Sequence, residues 1–519
     1  MALDYHSYFS VFTKSASTAG TGEKNIFDQD NHSSYDFEQV GSPDISYDSS
    51  TGEITFHGEG DYFLVFAANC GVGADNKTAA LRIKQNGTNI VEHEPLLLLD
   101  DFEPEQCVIH IIATIEAGDI ITCTHEGSDA TSFTALGCYF TALKTKGHYS
   151  SAIYTTKADV QDTLDNYALF HTSGDDNEGG VVASKVNGVV YDNTNGRFSP
   201  SATRKFLYFS TMIHEGDEAT IFDLQHKLTI DGTSIDDLTA GSTVARTPVC
   251  NTYSLIAEVE DDEYATVQRD QSSTTAREFE LEAGTSFSFI DISNNGVDPR
   301  AFFCGSVQTD GNTLATDSGD QAIFDEDNYS SLTLTDRVTA TGVTHTAADG
   351  SFTVDSAGDY LVTLVLGSTR AGTGSANSLN DLKITINGST HFTHQVWKDS
   401  QQDTQSNCIC LILRLKAGDA INFIVNNYGA KVDDGTSVSM FMVSDVGGSK
   451  DLFPQKLSDE LVGDDYVIKN YSPETTGRQH DHLGTAVPQL SLGIPGALNV
   501  RRRGDLAEPY TSNRGKDKK

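Results

Sequence analysis

One ordered set of landmarks occurs three times along the chain, and it constrains the fold more than any other feature. A glycine turn entering a strand appears as Tyr47-Asp48-Ser49-Ser50-Thr51-Gly52-Glu53-Ile54. It returns as Tyr191-Asp192-Asn193-Thr194-Asn195-Gly196-Arg197-Phe198 and as His345-Thr346-Ala347-Ala348-Asp349-Gly350-Ser351-Phe352. A strand follows, Gly60-Asp61-Tyr62-Phe63-Leu64-Val65, matched by Gly358-Asp359-Tyr360-Leu361-Val362-Thr363 and, without the glycine, by Arg204-Lys205-Phe206-Leu207. Next come apolar residues alternating into Asn86-Gly87, Asp231-Gly232 and Asn387-Gly388, the signature of a tight hairpin. Ile115-Glu116-Ala117-Gly118-Asp119 recurs as Leu415-Lys416-Ala417-Gly418-Asp419, and Leu281-Glu282-Ala283-Gly284-Thr285 is taken as the middle copy. Each copy then closes on an apolar strand, expected at 132–143, 301–304 and 439–443.

Short apolar runs separated by Gly, Ser, Thr, Asp and Asn indicate strands and turns, so the chain reads as all-β. At 519 residues it exceeds a single core. The expected division is an N-terminal arm 1–22, repeats at 23–146, 147–311 and 312–447, and an extended C-terminal arm 448–519.

These landmarks, in this order, resemble the complement globular-head and tumour-necrosis-factor family. The resemblance implies three tandem antiparallel jelly rolls, each a ten-stranded two-sheet sandwich, and packing as trimers around a three-fold axis through an aromatic-rich sheet face. The middle copy departs most, and no collagen-like Gly-x-y stalk is present. Because the first and last strands of this fold are neighbours, linkers expected at 145–162 and 308–321 could let one chain close its own pseudo-trimer. Three chains could instead stack as homotrimeric layers; the repeat does not decide between them, though linkage raises the effective concentration and mildly favours the internal ring.

A formal net charge of −39 argues against a nucleic-acid binder, which needs basic residues gathered on one face. No apolar run is long enough for a membrane helix, and the start Met1-Ala2-Leu3-Asp4 lacks the pattern of a secretory signal. Folding in a host cytoplasm is expected, with the eight cysteines as free core thiols.

No nucleophile elbow, HExxH helix or phosphate loop occurs, so a non-enzymatic role is expected and no cofactor is assigned. His480 and His482 are read as solvated surface. Phe27-Asp28-Gln29-Asp30-Asn31 returns as Phe324-Asp325-Glu326-Asp327-Asn328, and alternate oxygen side chains suit calcium, so Asp28, Asp30, Asp325 and Asp327 are the candidate metal ligands, with turn capping the competing reading. The C-terminal arm alternates Leu490, Leu492 and Ile494 between prolines and then carries Arg501, Arg502 and Arg503, a pattern suited to strand addition on an acidic partner. Together these features favour a virion component, a capsid decoration, cement or spike protein whose partners are itself and a major capsid or other virion protein. A receptor- or glycan-binding tail fibre or adhesin is the alternative.

Overall fold

The computed structural model describes residues 7–14, 22–31, 37–70, 77–98, 105–127, 137–160, 167–171, 177–178, 182–216, 223–242, 249–271, 279–293, 296–307, 312–313, 319–326, 334–370, 380–396, 405–426, 430–432 and 435–445. They form strands, turns and one short 3-10 turn at Gln29–Asn31. All strand pairing is antiparallel and falls into six sheets, two for each repeat.

The same order holds in each repeat. In the first, one sheet runs Phe37–Gly41, Tyr8–Thr13, Tyr139–Lys144, Gly60–Cys70, Glu105–Ile115. Its equivalents run Val182–Asn187, Tyr149–Tyr154, Ser286–Asp291, Arg204–Gly216, Val249–Val259 and then Leu334–Asp336, Phe302–Val307, Ser437–Ser444, Gly358–Arg370, Gln405–Leu415, with extra short strands in the second and third. The opposite sheet of the first repeat runs Ile45–Asp48, Glu53–Phe56, Ile120–Gly127, Lys77–Gln85, Thr88–Leu98. Ile54, Phe56, Leu81 and Ile83 of that sheet share a core with Tyr62, Leu64 and Phe66 of the first, which makes each repeat a sandwich.

Pairing of first with last strand corrects the expected boundaries. Tyr8–Thr13 is no arm: it pairs with Tyr139–Lys144 and is buried throughout. Phe302–Val307, expected to close the second repeat, pairs with Ser437–Ser444 and opens the third. Ser286–Asp291 closes the second, beside Tyr149–Tyr154. The sandwiches therefore span 8–144, 149–291 and 302–444, and the joining segments are 145–148 and 292–301 rather than the longer stretches expected. The repeat search missed this because an opening strand lies upstream of the first landmark glycine and touches the previous repeat in sequence.

Side-chain contacts explain why the landmarks travel together. Asn86 and Asn387 hold left-handed backbone, φ 52° and 51°, and each donates its amide to Asp119 or Asp419 at 2.7 and 2.8 Å. The amide oxygens in turn accept the Ile120 and Ala420 N–H groups, both at 3.0 Å, tying the hairpin to the neighbouring turn. In the middle repeat Asp231, φ 49°, accepts from Tyr264 N–H, and Glu263 caps Glu260 N–H at 2.8 Å. The turn at 260–264 is thus the middle copy of the Gly-Asp turn, not Leu281–Thr285, which leads into the closing strand.

The turn glycines are required by a close approach. Gly350 has φ 65°, and a Cβ there would stand 2.6 Å from the Asp325 nitrogen and 2.7 Å from the Phe324 carbonyl carbon. Gly350→Ala is expected to cost at least about 1–2 kcal/mol from left-handed strain alone, with the clash added, read as a lowered denaturant midpoint.

Candidate functional site

The long central strands are apolar without alternation: Tyr62 to Ala68, Phe206 to Phe209 and Leu361 to Leu366 are wholly buried. A strand buried on both faces has something packed on each. In Gly60–Cys70, Tyr62, Leu64, Phe66 and Ala68 point into their own sandwich. Phe63, Val65 and Ala67 point the other way, into an apolar cluster shared with the second and third sandwiches. Phe63 packs against Phe209 of the second at 5.5 Å, and Phe12 meets Phe392 of the third edge-on at 5.4 Å.

All three pairs of sandwiches meet, and equivalent positions meet in one cyclic sense. Gln106, Cys250 and Ser406 sit opposite Asn69, Ile213 and Gly367, each seven residues beyond Tyr62, Phe206 or Tyr360. Gln106 accepts from Cys408 N–H at 2.6 Å and donates to its carbonyl at 2.5 Å. Ser406 Oγ accepts from Thr252 N–H at 3.0 Å. The Cys250 thiol accepts from Val108 N–H at 3.4 Å and lies 3.7 Å from its carbonyl. Val108, Thr252 and Cys408 are again equivalent, opposite Ala67, Thr211 and Val365. At each seam a side chain serves the open edge of the next sandwich, satisfying backbone groups that would otherwise be orphaned in a dry interior.

A second set repeats in the same cycle. Tyr8 donates its hydroxyl to Asp359, and Tyr149 donates to Asp61. The third equivalents are Phe302 and Lys205, whose ammonium stands 5.4 Å from the ring centroid, so the divergent repeat replaces a hydrogen bond by a cation–π contact. Asp359 is fully buried and also takes Arg414 at 2.9 and 3.1 Å. Burial works against the Asp61 carboxylate, yet Lys185, Tyr149 and Thr114 outweigh it and hold its pKa below the usual value. Burial, then the neighbouring Asp359 or Asp61, drives the Tyr8 and Tyr149 hydroxyls up, so both stay protonated donors.

The candidate cation residues behave as turn residues where they are described. Asp28 Oδ1 accepts from Asp30 N–H at 2.9 Å, while Asp325 is buried and Asp327 lies outside the described residues. The preceding Phe carbonyls are fastened by the first landmark residue of each repeat: Tyr47 donates to Phe27 at 2.5 Å, Tyr191 to Phe170, and His345 Nε2 stands 3.2 Å from the Phe324 oxygen. No three His, Cys, Asp or Glu side chains gather as a metal set among the described residues. Leu490, Leu492, Ile494, Arg501, Arg502, Arg503, His480 and His482 lie outside them.

Sequence reasoning did not find Gln106, Cys250, Ser406, Asp61 or Asp359. The available signal was the unbroken apolar run at Tyr62–Ala68 and its two equivalents, these interrupted only by Ser210, Thr211 and Thr363, which a sandwich wet on one side would not carry.

No family profile and no curated protein matches the chain. Among solved structures it is similar to the Eiger TNF of S. frugiperda, at 14% identity over 25% of this chain and 92% of that one, with a TM-score of 0.17. It is also similar to a structure described as the triple jelly roll fold and turret assembly in an archaeal virus, at 11% identity over 82% and 89%, TM-score 0.17. A structure of Sulfolobus turreted icosahedral virus gives 11% identity over 83% and 96%, TM-score 0.17. At such scores the argument rests on strand pairing and seam geometry.

Proposed function

We propose that this chain is a non-enzymatic virion structural protein, a capsid decoration, cement or spike component, in which one polypeptide forms the complete three-lobed unit as an internal pseudo-trimer. The observation that carries the reading is the cyclic repetition of the seam: sandwich 1 grips 3, 3 grips 2 and 2 grips 1 through equivalent positions. Head-to-tail contacts of one kind generate either an open filament or a closed ring, and three contacts among three lobes close.

Joining the lobes in one chain makes every seam intramolecular, so the unit persists at dilutions where separate subunits would part. That property suits a component exposed outside a cell. Cys123, Cys408 and Cys410 are buried thiols and Cys250 is a half-buried one, in keeping with folding in a reducing compartment. Among the described residues no helix is long and apolar enough to cross a membrane. Attachment to a major capsid or other virion protein is assigned to segment 448–519, through Leu490, Leu492, Ile494 and the arginines 501–503. The residues up to Asp445 form a compact unit by themselves.

The test compares the full chain with one ending at Asp445, each mixed with particles from the same source and sedimented through a gradient. Both should have the mass of one chain at low concentration, and the full chain should travel with particles while the shortened one stays behind. A three-chain mass overturns the pseudo-trimer. A full chain that ignores particles and binds host cells installs the receptor-binding alternative.

A further inference from the structure

The three seams are built alike in backbone but differently in proton chemistry. His93 and His110, both of sandwich 1 and both wholly buried, lie on the seam with sandwich 2. His110 is set against Phe63 of its own sandwich and Phe209 of the next at 5.9 and 4.9 Å, with Nδ1 3.1 Å from Ser288 Oγ. Its Nε2 has no hydrogen-bond partner. His93 lies under the Gly284 turn of sandwich 2, where an added Cβ would be 3.7 Å from the His93 Cα, and neither ring nitrogen has a partner. The contacts of the seam between sandwiches 2 and 3 use instead Asn251, Thr252, Ser254, Thr363, Ser406, Ser437 and the Cys304 thiol, none of which changes charge in mild acid.

We propose that the seam between sandwiches 1 and 2 is an acid-labile joint, which protonation of His93 and His110 opens while the seam between sandwiches 2 and 3 stays closed. The inference rests on the seam geometry and holds whether or not the chain sits on a virion.

A second proton on either ring would place a full charge in a dry site where the His93 nitrogens have no partner and His110 has only the Ser286 backbone and the Ser288 hydroxyl, neither a countercharge, which is costlier than leaving the ring neutral. The charged groups around His110 lie too far along their strands to answer it. Asp61 is four residues from Val65, the partner of His110; Lys205 is four from Phe209; Asp291 is three from Ser288. These are separations of roughly 10–13 Å. The other described titratable groups on its neighbouring strands are the thiols of Cys107 and Cys250, the Tyr62, Tyr149, Tyr154, Tyr208 and Tyr253 hydroxyls, His214, Glu258 and Arg204, which pairs with Asp291. Around His93, Arg82 is committed to Glu92 and Glu126, Lys84 to Glu23, and Lys157 of sandwich 2 to Glu280 and Glu282; His125 and His214 stand on adjoining strands.

Burial pushes both His93 and His110 down to about 3. The closed seam therefore binds fewer protons than the open one between pH 6.5 and about 3, and opening grows as pH falls through that window. Each histidine contributes about tenfold per pH unit once pH is well below 6.5, where it is half protonated in the open state, so from pH 6.5 to 4.5 the open population should rise by about 50-fold per histidine and about 2 × 10³ for the pair. The third seam responds differently. Burial also pushes His394 down, to about 4, less far than the pair because its Nδ1 faces the Gly137 oxygen at 3.3 Å, so that seam loosens in acid as well but by one histidine only, while His391 Nε2 meets Glu38 at 3.0 Å. His226, also held near 3 by burial, belongs to sandwich 2 alone, with Nε2 on Ser210 Oγ at 3.0 Å.

Amide hydrogen exchange on the full chain reads each seam separately, because Val108 N–H bonds across seam 1–2 and Thr252 and Ile256 N–H across seam 2–3. After correction for intrinsic rates, Val108 exchange should rise by about 2 × 10³ between pH 6.5 and 4.5, with Thr252 and Ile256 changing by less than about tenfold. In the His93→Leu/His110→Leu double variant the Val108 rise should fall below about tenfold. Should that variant not fold, His110→Gln keeps a neutral polar group and should cut the rise to about 50-fold. Equal rises at Val108 and Thr252, or a rise in His110→Gln matching the parent chain, overturns the proposal.

Discussion

Asp359→Ala should lower unfolding free energy by about 2–3 kcal/mol, the upper range for hydrogen bonds to a charged group, since Arg414 is partly exposed and can turn to water. Asp359 is fully buried, and its two oxygens receive Arg414 at 2.9 and 3.1 Å and the Tyr8 hydroxyl. Alanine leaves the guanidinium without its carboxylate and strips the hydroxyl of its acceptor. Because Tyr8 opens sandwich 1 and Asp359 belongs to sandwich 3, the contact joins the first sandwich to the last. Denaturant unfolding of Asp359→Ala, Tyr8→Phe and the double variant gives the coupling across that seam, expected at about 1 kcal/mol or more. A single-variant loss below about 1 kcal/mol, with no coupling, would mean that this contact does not hold the ring closed.

Tyr360→Ala should be more damaging, about 3–5 kcal/mol, since it empties the volume of a large buried aromatic. Tyr360 is wholly buried and donates its hydroxyl to Ser356 O at 2.7 Å. Its equivalents are as deep: Tyr62 packs edge-on against Phe56 at 4.8 Å, and Phe206 stacks on Phe289 at 3.9 Å. Tyr360→Phe should cost only about 1 kcal/mol, because the ring stays and one hydrogen bond goes. Urea midpoints at constant slope separate the two variants. An unchanged midpoint in Tyr360→Ala would remove the equivalence of the three strands.

The shared offset of Tyr62, Phe206 and Tyr360 from Gly52, Gly196 and Gly350 was legible because a glycine turn and a strand are local events. The Leu281–Thr285 assignment failed for the complementary reason. A Leu-x-x-Gly pattern marks a turn but not which strand the turn serves, and only the bond from Glu263 to Glu260 N–H identified the true equivalent. The Phe-Asp repeats allowed either a cation site or a turn cap from sequence, and the contacts described are those of a turn, with Asp28 accepting from Asp30 N–H and Gly350 close against the Asp325 nitrogen.

The sequence by itself determined the number of sandwiches, their all-β character, the hairpins and the thiol-rich interiors, since each follows from periodicity and turn chemistry within a few residues. Tertiary structure alone decided where each sandwich begins, because an opening strand is defined by pairing with a closing strand more than a hundred residues away. It also decided which small polar residues matter. Gln106, Cys250 and Ser406 share no side-chain chemistry that a sequence comparison would align. They share only a place on an open sheet edge, where any side chain able to meet a neighbour's backbone N–H satisfies the same physical demand.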